Sequence, residues 1–304
     1  MSDPSDSTSS RLRHLARSAR DRARSLAGGR GGGEGLAELR VAHDRLAEQL
    51  AHQQALIDGL GARTDALEAT VGDVAAATGV VDRRNADYDT WTGAIITQAL
   101  GPGSVGVDVG AHSGLIFEAI RAAAPDARHW AFEPIPELAA HLRATYPDAE
   151  VHQLALSDTD GTTSFHHVTS NPSYSGILER DYTGPEEVAL IEVEMARMDD
   201  VVPDDVAVSF IKIDVEGGEL GVLRGASRIL REHRPVVVFE FGPGAADHYG
   251  TTPHDVFAFF AEHGMSVGLL DRYLRGEAAL TEEELTRHYE GIDFYFVAYP
   301  TPGT

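Results

Sequence analysis

The sequence predicts a doubly wound α/β fold, a parallel sheet with helices on both faces, and three observations carry that prediction. Short strand-like runs at 104–109, 128–132, 150–156, 208–214 and 236–241, the first and the last two rich in valine and isoleucine, alternate with stretches whose apolar residues recur at helical spacing. An acid closes or follows each run: Asp108, Glu133, Asp158, Asp214 and Glu240. The first run passes through a glycine turn, 110–114, directly into a helical pattern at Leu115, Ile116, Ala119 and Ile120. Nucleotide pockets are built this way at the carboxyl edge of such sheets.

The 304 residues allow one large domain and an appendage. A formal charge of −23 opposes contact with the phosphates of nucleic acid. With no cysteine, neither a disulfide framework nor a thiolate metal site can form. There is no run of about 18 apolar residues, the length that would span a bilayer as a helix. The arginine-rich opening lacks an apolar signal core, so a cytoplasmic protein is expected.

Residues 1–35 start with Ser, Asp and Thr and run through Arg11, Arg13, Arg17, Arg20, Arg22, Arg24 and Arg30 to a glycine-rich stretch. That is the composition of a disordered basic tail and linker. Contact with an anionic membrane or partner and plain solvation are both open to it. Residues 36–77 carry a seven-residue repeat, with Leu36, His43, Leu50, Ile57, Thr64 and Val71 at one seam position. Leu39, Leu46, Gln53, Leu60, Leu67 and Val74 take the other. So narrow a stripe suits a partner helix better than a broad core face, which predicts a coiled coil joining copies of the chain through residues 36–76.

A joint at 78–84 leads to a helix over 87–100, with Trp91, Ile95, Ile96 and Leu100 on its apolar face. Tyr88 and Trp91 either pack in the core or roof the site. In the glycine turn, Gly110 lets the backbone approach a ligand closely, and Ser113 is placed to cap the helix whose free N–H groups attract polar atoms. Only two glycines occupy the turn, so the three-glycine dinucleotide fingerprint is missing and a nicotinamide oxidoreductase is the weaker reading. An acid two residues ahead of Gly110 suits a cation better than a pyrophosphate, and S-adenosylmethionine offers both an amino group and a sulfonium. Glu133 stands where nucleotide folds of this type hold ribose hydroxyls. Capping or solvation would explain either acid alone; two at successive strand ends favour ligand contact.

A helix at 136–146 precedes the third strand, which ends at Ser157 and Asp158. Asp158 either accepts a hydrogen bond from an adenine amino group or belongs to the turn S-D-T-D-G. Inserted strands at 162–168 and 188–195 flank a polar loop, 170–176, that faces cofactor or acceptor. In VSFIKIDVEGGE, 208–219, alternation puts Phe210, Lys212 and Asp214 on one face and Ile211 and Ile213 on the other. Lys212 is the only lysine; the other 24 basic residues are arginine. A lysine in a strand covered on both faces needs a partner, so it either pairs structurally with Asp214 and Glu216 or holds a substrate oxygen.

The carboxylates of Asp214, Glu216 and Glu240 could also gather a divalent metal, although no diagnostic spacing favours one. A helix from Glu219 to Leu230, a strand at 236–241, a helix at 252–263, a strand at 266–270, a helix at 281–289 and an antiparallel edge strand at 294–299 complete the chain. His248 and His254 are candidate bases in the loop and helix start after Glu240.

VDVGAHSG at 107–114, FEP at 132–134, ALSD at 155–158, IKIDVEGGELGVLRGA at 211–226 and RPVVVFE at 234–240 together resemble the FkbM family of S-adenosylmethionine-dependent methyltransferases. The resemblance runs over residues 88–300 and sets a methyltransferase domain at 85–304. It implies a seven-stranded Rossmann-like sheet with a reversed last strand. It also implies methyl transfer to a hydroxyl oxygen of a small molecule or sugar. Cofactor contacts fall by that similarity on Asp108, Gly110, Ala111, His112, Gly114, Glu133, Ser157, Asp158 and Asp214, with Lys212, Glu216 and Glu219 lining the site and no metal required. His112 stands where asparagine is more usual. On this reading Asp214 or Glu216 takes the hydroxyl proton and Lys212 steadies the developing oxyanion. A non-catalytic coiled-coil scaffold with a vestigial pocket is the rival class.

Overall fold

The computed structural model describes residues 80–182 and 184–301, and all but the first two belong to one compact unit, Asp82–Thr304. The basic tail at 1–35 and the coiled coil at 36–77 lie outside the described residues. Helix α1 (Val80–Ala99) begins ahead of the expected residue 87, because 80–86 holds no glycine or proline to stop it. Then follow β1 (Val105–Val109), α2 (Leu115–Ala123), β2 (Trp130–Phe132), α3 (Pro136–Thr145) and β3 (Glu150–His152). An inserted section holds β4 (Ala155–Leu156), β5 (Gly161–Val168), β6 (Val188–Ala196) and α4 (Met198–Val201). The chain continues through β7 (Val208–Ile213), α5 (Glu219–Gly225), α6 (Ser227–His233), β8 (Val236–Glu240) and α7 (Pro253–Glu262). It closes with β9 (Met265–Leu269), α8 (Leu270–Leu274), α9 (Glu282–Tyr289) and β10 (Tyr295–Pro300).

Seven strands form one sheet in the order β3-β2-β1-β7-β8-β10-β9, parallel except for β10. The order turns back between β1 and β7, so their carboxyl ends stand side by side, with Asp108 opposite Lys212. That switch point is where an open α/β sheet presents its crevice. On one face Tyr88, Ile95, Ile96 and Leu100 pack on Phe210, Val238 and Val297; on the other, Val222, Leu223, Ile229 and Phe260 cover Ile211, Ile213, Val237 and Phe239. Burial on both faces is why these strands read as unbroken apolar runs rather than alternating ones.

Four expectations change. The single strand at 150–156 splits: β3 extends the main sheet, whereas β4 leaves it and pairs with β6 in a separate three-stranded sheet, β4-β6-β5. The last strand is antiparallel as expected but lies inside the sheet, with Phe296, Val297 and Ala298 all fully buried, and β9 takes the edge. The helix from Glu219 to Leu230 breaks at Ala226, beside Gly225, where a Cβ would overlap the Ser157 carbonyl. Ser113 makes no cap; α2 starts instead on Gly114, whose φ of 88° only glycine adopts freely. Thr252 and Thr281 do cap α7 and α9, each in a reciprocal box with Asp255 or Glu284.

Candidate active site

Hydrogen bonds to β2 shape the turn after β1. The N–H groups of Gly110 and Ala111 donate to the Phe132 carbonyl at 2.9 and 3.1 Å. His112 donates its N–H to Glu133 Oε2 at 2.8 Å, and Ile135 donates to Glu133 Oε1 at 2.9 Å. Glu133 is therefore the knot between the two turns, and burial pushes its carboxyl up to about 7 against the pull of those N–H groups. Gly110, with φ 75°, admits a different neighbour from the ligand expected there: a Cβ would overlap the Asp214 carbonyl oxygen. His112 holds a left-handed φ of 46° without a glycine's freedom. Such strain persists only where surrounding bonds fix it, here the Glu133 carboxylate.

At the end of β7, Lys212 Nζ donates to Asp214 Oδ2 at 2.9 Å, and the Tyr295 hydroxyl donates to the same oxygen at 2.5 Å. Glu240, from the end of β8, hydrogen-bonds Asp214 as well. Burial opposes the Asp214 charge, but Lys212 and these donors outweigh it and hold the carboxyl well below its usual range. Glu240 goes the other way, raised well above its ordinary value by burial and by the charge of Asp214. Burial also works against the Lys212 charge, which Asp214 and Asp108 more than restore.

Beyond β7 the chain turns on Glu216, left-handed at φ 58°. Its carboxylate pairs with Arg180, which reaches in from the strap 169–187 between β5 and β6. Glu219 Oε1 accepts from the N–H groups of Val215 (3.2 Å) and Gly217 (3.0 Å), and burial lifts its carboxyl to about 7. Ligand oxygens of Asp214, Glu216 and Glu240 lie within 4.8 Å of one another. Within this trio Asp214 also pairs with Lys212 and Glu216 with Arg180.

Asp108 differs from all of these. It is 1 % exposed, and neither oxygen completes a hydrogen bond with any described residue. Burial raises its carboxyl to about 6; Lys212 and the nearby Phe117 N–H only temper that rise. A buried carboxylate with neither oxygen in a completed hydrogen bond is costly, and only the nearby Phe117 N–H and the Lys212 charge offset that cost within the chain.

Asp108, Ala111, His112, Glu133, Lys212, Asp214 and Glu216 thus gather at the carboxyl edge of β1, β2 and β7. Ser157 and Asp158 sit at the end of β4 on the smaller sheet: Ser157 N–H donates to Ala196 (3.0 Å), and Asp158 is exposed. Tyr88 belongs to the core, its ring 4.9 Å from Phe294 and 5.1 Å from Tyr295, its hydroxyl donating to Asp293 at 3.1 Å. His248 and His254 make exposed pairs with Asp181 and Glu282 at 3.2 and 2.8 Å.

Three site residues escaped the sequence reading. Tyr295 carried a signal, a hydroxyl in a buried strand that needs a partner. Arg180 and Tyr249, whose hydroxyl accepts from Leu178 N–H at 3.0 Å, belong to loops without a motif.

A seven-stranded sheet with its one reversed strand next to the edge, and acids at the ends of β1, β2 and β7, defines a Rossmann-like methyltransferase. The family described as Methyltransferase FkbM domain matches residues 108–267, more than half of the chain, and the chain belongs to that family. Over 94 residues the chain is 36% identical to the AMB antimetabolite synthetase AmbE of Pseudomonas aeruginosa strain PAO1, which covers 29% of this chain and 4% of that protein. The crystal structure of methyltransferase FkbM from Methylobacillus flagellatus KT is similar at 18% identity and a TM-score of 0.41, over 65% of this chain and 44% of that one. Precorrin-6y C5,15-methyltransferase from Geobacter metallireducens GS-15 gives 14% and 0.36, over 69% and 87%. The matched region thus spans less than half the length of the first two relatives. No helix among the described residues is long and apolar enough to cross a membrane.

Proposed function

We propose that the protein is an S-adenosylmethionine-dependent O-methyltransferase whose acceptor is a hydroxyl of a small molecule or sugar. Asp108 carries this reading, as a buried carboxylate at the switch point with neither oxygen in a completed hydrogen bond. The residues fit the cofactor: Asp108 takes its cationic amino group, Glu133 keeps lone pairs for the ribose hydroxyls, and the turn through Ala111, His112 and Gly114 borders the methionine end. Ser157 and Asp158 are assigned to the adenine side. When bound, the cofactor supplies an electrophilic methyl group on a sulfonium.

Much of the acceleration comes from holding the acceptor oxygen about 3 Å from that methyl in line with the bond it leaves. Lys212, fixed by Asp214, which Tyr295 holds in turn, keeps a positive charge beside the attacking oxygen. Glu216, held by Arg180, forms the acceptor wall with the strap.

The test is calorimetric titration of S-adenosylmethionine, S-adenosylhomocysteine and NADH into the full chain and Asp108→Ala, followed by labelled methyl transfer into small-molecule fractions of a cell extract. We expect both adenosyl ligands to bind, NADH not to, and Asp108→Ala to weaken binding at least tenfold. An unaltered titration in the variant overturns the pocket, and binding without transfer to any fraction leaves the scaffold reading in its place.

A further inference from the structure

Every carboxylate expected to act as base at this edge is engaged. Asp214 accepts from Lys212, Tyr295 and Glu240, which leaves it a weak base. Glu216 is tied to Arg180, Glu219 accepts two backbone N–H groups, and Glu240 is engaged with Asp214. Asp108 retains free lone pairs, but the cofactor's cation claims them in the reading above. A proton acceptor must come from elsewhere in the turn.

We infer that His112 is the general base of the transfer, with Nε2 of a neutral imidazole taking the proton of the acceptor hydroxyl. The inference rests on the methyltransferase reading above and adds a residue role to it. Its geometry is particular. Nε2 of His112 is buried and has no hydrogen-bond partner among the described residues. His129 shows what a structural histidine does here: both ring nitrogens are bonded, Nδ1 to Gly106 N–H at 3.0 Å and Nε2 to the Ala124 carbonyl at 2.8 Å. His152 and His233 also bury an unpartnered Nε2, but His152 stacks on Phe132 at 5.3 Å and His233 ends α6, at the opposite edge of the sheet. Only His112 stands in the strained turn between β1 and α2, where its backbone is clamped by Glu133 and its ring lies in the field of Lys212 and Asp214.

Those charged groups set its state. Burial pulls the imidazole below its ordinary value, Asp214 resists this, and Lys212 adds to it. The ring is therefore neutral near pH 7 and has a lone pair to offer. The step balances: the hydroxyl proton passes to the imidazole as oxygen bonds to the methyl carbon, and the electron pair of the broken carbon–sulfur bond stays on sulfur. Alcohol, sulfonium and imidazole become ether, thioether and imidazolium, which returns its proton to water.

The experiment is an imidazole titration by nitrogen-15 NMR on the full chain, with the His112 signal assigned by its loss in His112→Asn, since asparagine also tolerates a left-handed backbone. It is run with saturating S-adenosylmethionine and again with S-adenosylhomocysteine, which lacks the positive charge. A ring beside the reacting sulfur has a protonation constant at least threefold lower in the sulfonium complex; equal constants in the two complexes overturn the inference while leaving the cofactor assignment standing. Failure of both ligands to bind overturns the methyltransferase reading, and this inference with it. With any extract fraction that accepts methyl, His112→Asn loses the acid limb of the turnover profile measured at saturating S-adenosylmethionine. An acid limb that survives in His112→Asn also overturns the inference. Where His112→Asn melts early, His112→Gly, which suits the same φ, carries the same measurement.

Discussion

Lys212 sits opposite Asp108 in the pairing of β1 with β7, yet its ammonium bonds to Asp214 at 2.9 Å and leaves neither Asp108 oxygen in a completed hydrogen bond. The one cation between two buried acids bonds to Asp214 and reaches Asp108 only through its field. Asp108→Asn separates the two roles. The rise from 3.8 to about 6 corresponds to ~3 kcal/mol of disfavoured charge. We expect the ligand-free variant to melt higher than the native protein at pH 8, while its S-adenosylmethionine dissociation constant rises at least tenfold. A variant that melts lower would mean that Asp108 has an internal partner after all.

The raised carboxyls also give the fold a pH dependence of known sign. Asp108 near 6, and Glu133 and Glu219 near 7, hold protons more tightly folded than unfolded. Their contribution is complete below the unfolded values and is lost as pH rises through 6 to 7. Asp214 acts oppositely, but its contribution is lost only as pH falls below its ordinary 3.8. Urea midpoints of the ligand-free protein should therefore fall between pH 5 and pH 8. Repulsion across the acidic surface adds to that slope, so the decisive comparison is Glu219→Gln, whose amide oxygen can still accept from Val215 and Gly217. The variant's slope should be shallower by up to about 3 kcal/mol across the interval. Parallel curves would remove Glu219 from the account.

The same residues show what the chain discloses before it folds. Apolar runs ending in acids mark strands, because a parallel sheet buried on both faces tolerates a charge only at its rim, and the rim is where ligands bind. The lone Lys212 announced its ion pair through composition. Pairing was less legible. Residues 150–156 form one apolar run on paper, and nothing local says that Ala155 and Leu156 leave β3 for β6. Arg180 lay furthest from view: it meets Glu216 only because the strap folds back over the sheet edge. Gly110 read as room for a ligand, when the close approach is that of the Asp214 carbonyl.

The strap should be the least stable part of the site. It is fastened by the Arg180–Glu216 pair, the Leu178 N–H bond to Tyr249, and Asp181, whose N–H donates to the Gly244 carbonyl at 2.9 Å. Tyr249→Phe removes one fastening, worth ~0.5–1.5 kcal/mol. Hydrogen exchange of the Leu178 amide should accelerate about threefold to tenfold, with exchange in β7 and β8 unchanged. Uniform acceleration across the sheet would show that Tyr249 supports the whole fold rather than the strap.

The ion pair at the end of β7 predicts an asymmetry between its two members. Lys212→Met leaves Asp214 charged and buried with only the Tyr295 hydroxyl and the Glu240 carboxyl to solvate it, and removing one partner of such a pair costs ~3–5 kcal/mol. Asp214→Asn leaves Lys212 with a second acid already in its field, Asp108, so the ammonium keeps a counter-charge and the loss should be smaller. The double variant removes both charges, and it should be more stable than Lys212→Met alone, with a coupling of ~1–3 kcal/mol in a urea double-mutant cycle. Asp214→Asn should also change cofactor affinity, because Lys212, drawn to Asp108, competes with the cofactor's own cation for that carboxylate. Equal losses in the two single variants, or additive losses in the double, would mean that the lysine serves both acids alike and that Asp108 has no vacancy to offer.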